Sequence, residues 1–166
     1  MFKSRFIIVE HHAIKARLHF DLRFQLENSD NWESFAVRKG VPLEVGEKVL
    51  AVKTRIHSTE EALFLGKIES GYGAGVLKKW DDGPCIVHSM KPGHILIEFK
   101  GHKVKGFYHM ISVGVMNRKM YKSQQYMLFK GKTLNEMTGM MSKLWGDDVE
   151  EGQAEEVGMK LPWSNT

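Results

Sequence analysis

The stretch Leu18-His19-Phe20-Asp21-Leu22-Arg23-Phe24 alternates strictly between two kinds of residue. Successive side chains of a strand point to opposite faces, so His19, Asp21 and Arg23 share one face and Phe20, Leu22 and Phe24 the other. The apolar face asks for a core. The polar face carries a base, an anion and a fixed cation, and it has two readings. In one it is a solvated surface on which Asp21 pairs with a neighbouring arginine, which contributes little. In the other an imidazole and a carboxylate begin a divalent-metal site, with a guanidinium fork suited to phosphate oxygens beside them. Upstream, Phe6-Ile7-Ile8-Val9 reads as a buried strand ending in Glu10-His11-His12-Ala13. A hairpin between the two runs would gather three imidazoles and a carboxylate, which favours the second reading.

Further out, short apolar or alternating runs recur over Arg5 to Val9, His19 to Leu26, Trp32 to Val37, Val49 to Thr54, Gly75 to Trp80, Cys85 to Ser89, His94 to Lys100, Gly106 to Val115 and Gln124 to Phe129. Turn residues separate them, as in Asn28-Ser29-Asp30-Asn31, Asp81-Asp82-Gly83-Pro84 and Lys91-Pro92-Gly93. This spacing predicts a mostly β fold, a sandwich or barrel. The period then changes. Thr133-Leu134-Asn135-Glu136 matches a capping box, and Leu134, Met137, Met140, Met141 and Leu144 fall on one helical face. The expected organisation is a barrel over residues 1–132, an amphipathic helix over 133–145 packed on it, and an acidic, mobile tail over 146–166.

A chain of 166 residues suits one domain with a real core. The single cysteine, Cys85, excludes an internal disulfide and a multi-cysteine zinc cluster. Nothing therefore requires an oxidising compartment. The start, Met1-Phe2-Lys3-Ser4-Arg5, leads into a strand-like run rather than a signal-peptide core, and no apolar run approaches a membrane span. The expectation is a cytoplasmic protein without membrane contact. The net charge of +4 hides an asymmetry: residues 1–132 carry 22 Lys/Arg against 13 Asp/Glu, the remainder 2 against 7. A basic body favours polyanionic partners through counterion release.

Several features have plainer readings. His88, His94, His102 and His109 are scattered over later segments and read as hydrogen-bonded core or surface residues. Tyr72-Gly73-Ala74-Gly75 lacks the Lys-Ser/Thr and the βαβ setting of a phosphate loop, and reads as a tight turn needing glycine. The lysine-rich stretches Lys100 to Lys105 and Arg118 to Lys122 are solvated faces or a track for a nucleic-acid backbone.

Taken in order, Phe6-Ile7-Ile8-Val9-Glu10-His11-His12-Ala13, Leu18-His19-Phe20-Asp21-Leu22-Arg23, Ser34-Phe35-Ala36-Val37-Arg38-Lys39-Gly40, Leu50-Ala51-Val52, His57, Phe64-Leu65-Gly66-Lys67-Ile68, Tyr72-Gly73-Ala74-Gly75 and Trp80-Asp81-Asp82-Gly83 resemble the 3′-phosphoesterase domain of bacterial DNA ligase D. The likeness covers residues 5 to 132. It implies a compact, single-domain β-barrel with a few flanking helices. It also implies a metal-dependent activity that heals DNA 3′ ends, removing a terminal ribonucleoside and then the phosphate left behind. Manganese, or another divalent transition metal, is the implied cofactor. By position, His11, His19 and Asp21 would be metal ligands, Arg23 and His57 would contact the phosphate, and Lys39 matches a basic residue near that pocket. The ungapped register from Phe6 favours His11, although two extra residues before His19 leave His12 as the alternative.

The sequence also departs from the pattern. Glu61 stands where the family usually has an active-site tyrosine, Arg55-Ile56 replaces an acidic pair, and Val9 replaces a glutamine. The expected partners are DNA or RNA-tipped DNA 3′ ends, with a DNA ligase or polymerase acting alongside; the oligomeric state is left open. The rival reading is a non-catalytic module that grips a 3′ end and recruits such an enzyme.

Overall fold

The computed structural model describes residues 1–15, 17–71, 73–118 and 121–131. Its elements run β1 (Phe2–Ala13), β2 (Arg17–Gln25), β3 (Asn31–Val37), β4 (Lys48–Lys53), β5 (His57–Ser58), α1 (Thr59–Leu63), β6 (Gly66–Ile68), β7 (Gly75–Lys91), β8 (His94–Lys100), β9 (Lys105–Arg118) and β10 (Tyr121–Lys130). Eight strands follow one another around a wall in the order β1-β2-β3-β4-β10-β9-β8-β7, and β1 pairs back onto β7 to close it. The fold is therefore a closed antiparallel β-barrel, in keeping with the mostly β expectation. The expected helix over 133–145 and tail over 146–166 lie outside the described residues.

Every wall strand contributes apolar side chains to one interior cluster, which includes Phe6, Ile8, Leu22, Phe24, Phe35, Val37, Val49, Ala51, Val87, Ile97, Phe99, Tyr108 and Leu128. The lumen is packed with side chains, as in other small barrels. Leu22 and Phe24 are fully buried there and Phe20 packs against them. The apolar face of the alternating segment is thus the inside of the barrel, and His19, Asp21 and Arg23 project from the outside.

One expected turn is absent. Gly75 to Trp80 and Cys85 to Ser89 belong to a single long strand, and Asp81-Asp82-Gly83-Pro84 lies within it. The residues are turn formers by type, but tertiary partners take them over. Asp81 is 2 % exposed, and its carboxylate accepts hydrogen bonds from the amides of Asp82, His102, Lys103 and Val104 at 2.8–3.0 Å. That set of bonds pins the β8–β9 connection to the middle of β7. Gly83 is required because a Cβ at its φ of +157° would meet the Lys100 carbonyl oxygen at 2.7 Å.

Between β4 and β7 the chain makes an excursion over the outer wall. β5 pairs with β3 and β6 pairs with the start of β7. Between them α1 is started by Ser58, whose side chain accepts from the Glu61 amide while the Glu61 side chain accepts from the Ser58 amide, a reciprocal cap. A second, smaller apolar cluster of Ile7, Val9, Trp32, Ala62 and Leu77 holds the excursion down. Trp32 is fully buried, and its Nε1 donates to Thr59 Oγ1 at 2.9 Å. Among the described residues no helix is long and apolar enough to cross a membrane.

Candidate metal and phosphate site

The β1–β2 register places His11 directly opposite His19 and Val9 opposite Asp21. On the outer wall this gathers His11, His19 and Asp21, whose candidate ligand atoms all lie within 4.8 Å of one another. His11 Nδ1 is 3.3 Å from Asp21 Oδ2 and His19 Nε2 is 3.2 Å from Oδ1. His12, on the opposite face of β1, pairs instead with Glu10 through Nε2 and Oε1 at 3.0 Å. The structure therefore brings His11, not His12, to the carboxylate.

Each of the two imidazoles is anchored from behind by a backbone carbonyl. His11 Nε2 lies 2.8 Å from the Gly73 oxygen, and His19 Nδ1 lies 3.3 Å from the Arg17 oxygen. A carbonyl only accepts, so the nitrogen facing it carries the proton. The neutral ring then presents a bare lone pair forward. His11 Nδ1 is buried and makes no aligned hydrogen bond, so a lone pair faces a carboxylate oxygen, an arrangement that calls for a cation between them. A proton can fill that gap, and the Asp21 carboxylate facing Nδ1 raises the His11 pKa against the opposing effect of burial. A divalent ion reaching both imidazoles and the carboxylate satisfies all three groups at once. Anchoring of the far nitrogen by a carbonyl is the arrangement that orients metal-binding histidines. The donor set thus fits a transition metal.

Arg23 lies next to this cluster and is 5 % exposed. Its Nη2 donates to Asp21 Oδ2 at 3.3 Å and its Nη1 to the Ala62 carbonyl at 3.0 Å, while Nε has no partner among the described residues. Burial alone would raise the Asp21 pKa, but His11, His19 and Arg23 together hold it far below the usual carboxylate range. Asp21 is ionised at any physiological pH.

His57, delivered by β5, sits at the edge of the same site, with Nδ1 3.9 Å from Glu61 Oε2. Burial, reinforced by the charges of Arg23 and Arg55, pulls its pKa down to about 4. It is a neutral imidazole near pH 7. Lys39 is exposed in the turn after β3, and no contact joins it to the cluster among the described residues. Gly75 lets β7 approach β1 beside His11, since at its φ of +150° a Cβ would run into the His12 backbone. A second grouping of Asp81, Asp82 and His102 has metal-capable side chains, yet the amides described above already occupy the Asp81 carboxylate.

Three members of this site carry no residue-type signal: the Gly73 and Arg17 carbonyls and the Ala62 carbonyl that steadies Arg23. Backbone oxygens carry no residue signature; only the spacing of the extra residues before His19 pointed to an unusual turn there. Arg17 has a positive φ of 61°.

A family model described as the DNA Ligase D 3′-phosphoesterase domain matches residues 9–112. The chain belongs to that family. Among its relatives, the Multifunctional non-homologous end joining protein LigD of Mycolicibacterium smegmatis is 39 % identical over 120 residues, 65 % of this chain and 15 % of the relative. The protein of the same name from Pseudomonas aeruginosa is 33 % identical over 134 residues, 77 % of this chain and 15 % of the relative. The Multifunctional non-homologous end joining DNA repair protein LigD of Mycobacterium tuberculosis is 36 % identical over 113 residues, 65 % of this chain and 14 % of the relative. The chain thus corresponds to a small part of each of these multifunctional proteins. The matched span contains His11, His19, Asp21, Arg23 and His57. In this member of the DNA ligase D phosphoesterase family, the three departures are structurally coherent. Val9 is fully buried in the second apolar cluster, and Arg55 and Glu61 pair with each other.

Proposed function

We propose that this protein is a metal-dependent phosphoesterase that heals DNA 3′ ends, acting as a 3′-ribonucleoside phosphodiesterase, a 3′-phosphatase or both. The observation that carries the reading is the convergence of His11 Nδ1, His19 Nε2 and the Asp21 carboxylate, with each imidazole held from behind by a backbone carbonyl and a buried arginine beside them. His11, His19 and Asp21 would hold a divalent transition ion of the manganese class. When bound, such an ion supplies Lewis-acid polarisation of the phosphate and an activated water.

The chain's own residues do the rest. Arg23 is charged at every working pH, and its guanidinium, fixed beside the Asp21 carboxylate, would offset the negative charge that builds on the phosphate in the transition state. It is already held by Asp21 and the α1 carbonyls, so little reorganisation is required when substrate arrives. His57, neutral before binding, offers one N–H to the phosphate. The anion raises its proton affinity, so it can then take up a proton and pass it to the departing oxygen. The packed excursion keeps the cluster nearly dry, which strengthens each of these interactions.

A second reading, a module that binds 3′ ends without cutting them, is favoured by the pairing of Arg55 with Glu61 where other members have different residues. One experiment separates the two. A primer-template tipped with a 3′ ribonucleotide is incubated with manganese and either wild type or H19A. The hydrolase reading expects the primer to shorten to a 3′-phosphate or 3′-hydroxyl end with wild type, and a rate at least 100-fold lower with H19A, roughly the loss of one ligand and its charge stabilisation. Turnover that survives H19A sinks the proposed site. Tight binding by wild type without any cleavage selects the binding module. A DNA ligase or polymerase working on the same end would complete the repair under either reading.

A further inference from the structure

The rim of the site carries a second guanidinium. Arg55 lies between β4 and β5, two residues before His57, with its side chain 67 % exposed. Its Nη2 is paired with Glu61 Oε2, and its Nη1 reaches the Ile56 carbonyl at 3.5 Å. Glu61 connects this group to the site in two further ways. Its Oε2 is 3.9 Å from His57 Nδ1, and its backbone carbonyl accepts from Arg23 Nη1 at 3.5 Å. One residue of α1 thus ties an exposed guanidinium to both groups that face the proposed phosphate. Glu61 is itself fixed by the reciprocal cap with Ser58, so Arg55 is held at a defined place.

The pair contributes little to stability, because exposed ion pairs are screened and cost side-chain entropy. A phosphodiester competes well for such a guanidinium, since the contact is charge-assisted and can be bidentate. A nucleic-acid strand presents its phosphates in a row. One buried guanidinium and one exposed guanidinium are joined here through a single residue, Glu61, so two cations serve one stretch of such a row.

Building on the reading above, we infer that Arg55 is a second anion-binding residue of this site, gripping the phosphodiester immediately inward of the scissile phosphate while Glu61 holds it ready. Glu61 also opposes it. The Arg55 hydrogen bond lowers the Glu61 pKa to about 2, so the carboxylate is always charged and must be displaced, at least in part, by the incoming phosphate.

The test is equilibrium binding of a fluorescent primer-template with a 3′ phosphate, over a salt series, to wild type, R55Q, R55K and E61Q. R55Q is expected to bind roughly three- to tenfold more weakly, with a log–log salt slope smaller by about one. R55K, which keeps the charge, restores the slope. E61Q retains a competent cap and binds more tightly than wild type. The same oligonucleotide is then made with a neutral methylphosphonate at the linkage next to the 3′ end. That change weakens wild type and leaves R55Q unaffected, the non-additivity of groups in contact. The inference is overturned by R55Q binding like wild type with an unchanged slope, by a methylphosphonate that weakens both proteins equally, or by a wild type that does not bind the strand. Turnover measured on the same samples keeps the two ideas apart. Coupling between Arg55 and the linkage without cleavage sinks the hydrolase and leaves Arg55 standing; cleavage without coupling does the reverse.

Discussion

At the scale of single residues, the site depends on which nitrogen of each histidine faces forward. His11 and His19 differ in the atom they offer, Nδ1 and Nε2, because different carbonyls hold them from behind. The choice between His11 and His12 follows from strand alternation once the register with β2 is known. Replacing His11 by alanine is expected to weaken manganese binding at least tenfold, while the same change at His12 leaves it within error, as measured by titration calorimetry. The reverse pattern would mean that the site uses the other face of β1. The polar residues of β2 were legible because alternation alone puts them on one face. His57 was legible only by likeness, since it lies far from them in sequence, and its neutrality was not legible at all. That property comes from burial under α1 and from two arginines, which a linear sequence does not bring together.

At the scale of elements, the excursion from β5 to β6 is what turns a strand face into an enclosed site. It is fastened by few residues, with Trp32 beneath and Ala62 above. Trp32→Ala removes a fully buried indole and its bond to Thr59. The expected cost is about 3–5 kcal/mol, a fall in Tm on the order of 10 °C for a domain of this size, together with loss of phosphate binding. A variant that melts within a degree or two of wild type would show that the excursion is anchored elsewhere. The sequence marked α1 poorly, because a helix of five residues has no period to read. Its cap, Ser58 with Glu61, was present in the chain but too short a pattern to stand out from the surrounding loop residues.

At the scale of the whole molecule, barrel closure rests on β7, which pairs with β1 along almost its entire length and then passes to β8. The Asp81 carboxylate at its centre accepts four amides, and these outweigh burial to hold its pKa below the usual 3.8. The folded protein therefore binds that proton more weakly than the unfolded chain. The resulting stability is fully present above about pH 4 and is lost as the pH falls through the folded-state pKa. Asp81→Asn is expected to cost about 1.5–3 kcal/mol at neutral pH, read from the urea midpoint, with the gap to wild type narrowing near pH 3. A gap that is constant with pH would show that the carboxylate's charge does not matter. The number and rough positions of the strands were readable from alternation and turn residues. The Asp-Asp-Gly-Pro segment is a turn by residue type, and its pairing along β1 together with the distant amides of 102–104 on the Asp81 carboxylate holds it in a strand instead.

The filled lumen has a consequence for how a polynucleotide can be handled. With aromatic rings filling the interior, the described residues leave no tunnel through which a strand could thread, and the candidate site lies on the outer wall, where Asp21 and Arg23 are each only 5 % exposed. An internal linkage would need space for chain leaving in both directions; a terminus needs it in one. Discrimination of tips from interiors would then be a matter of headroom beneath the excursion, set by loop shape and not by recognition of any base.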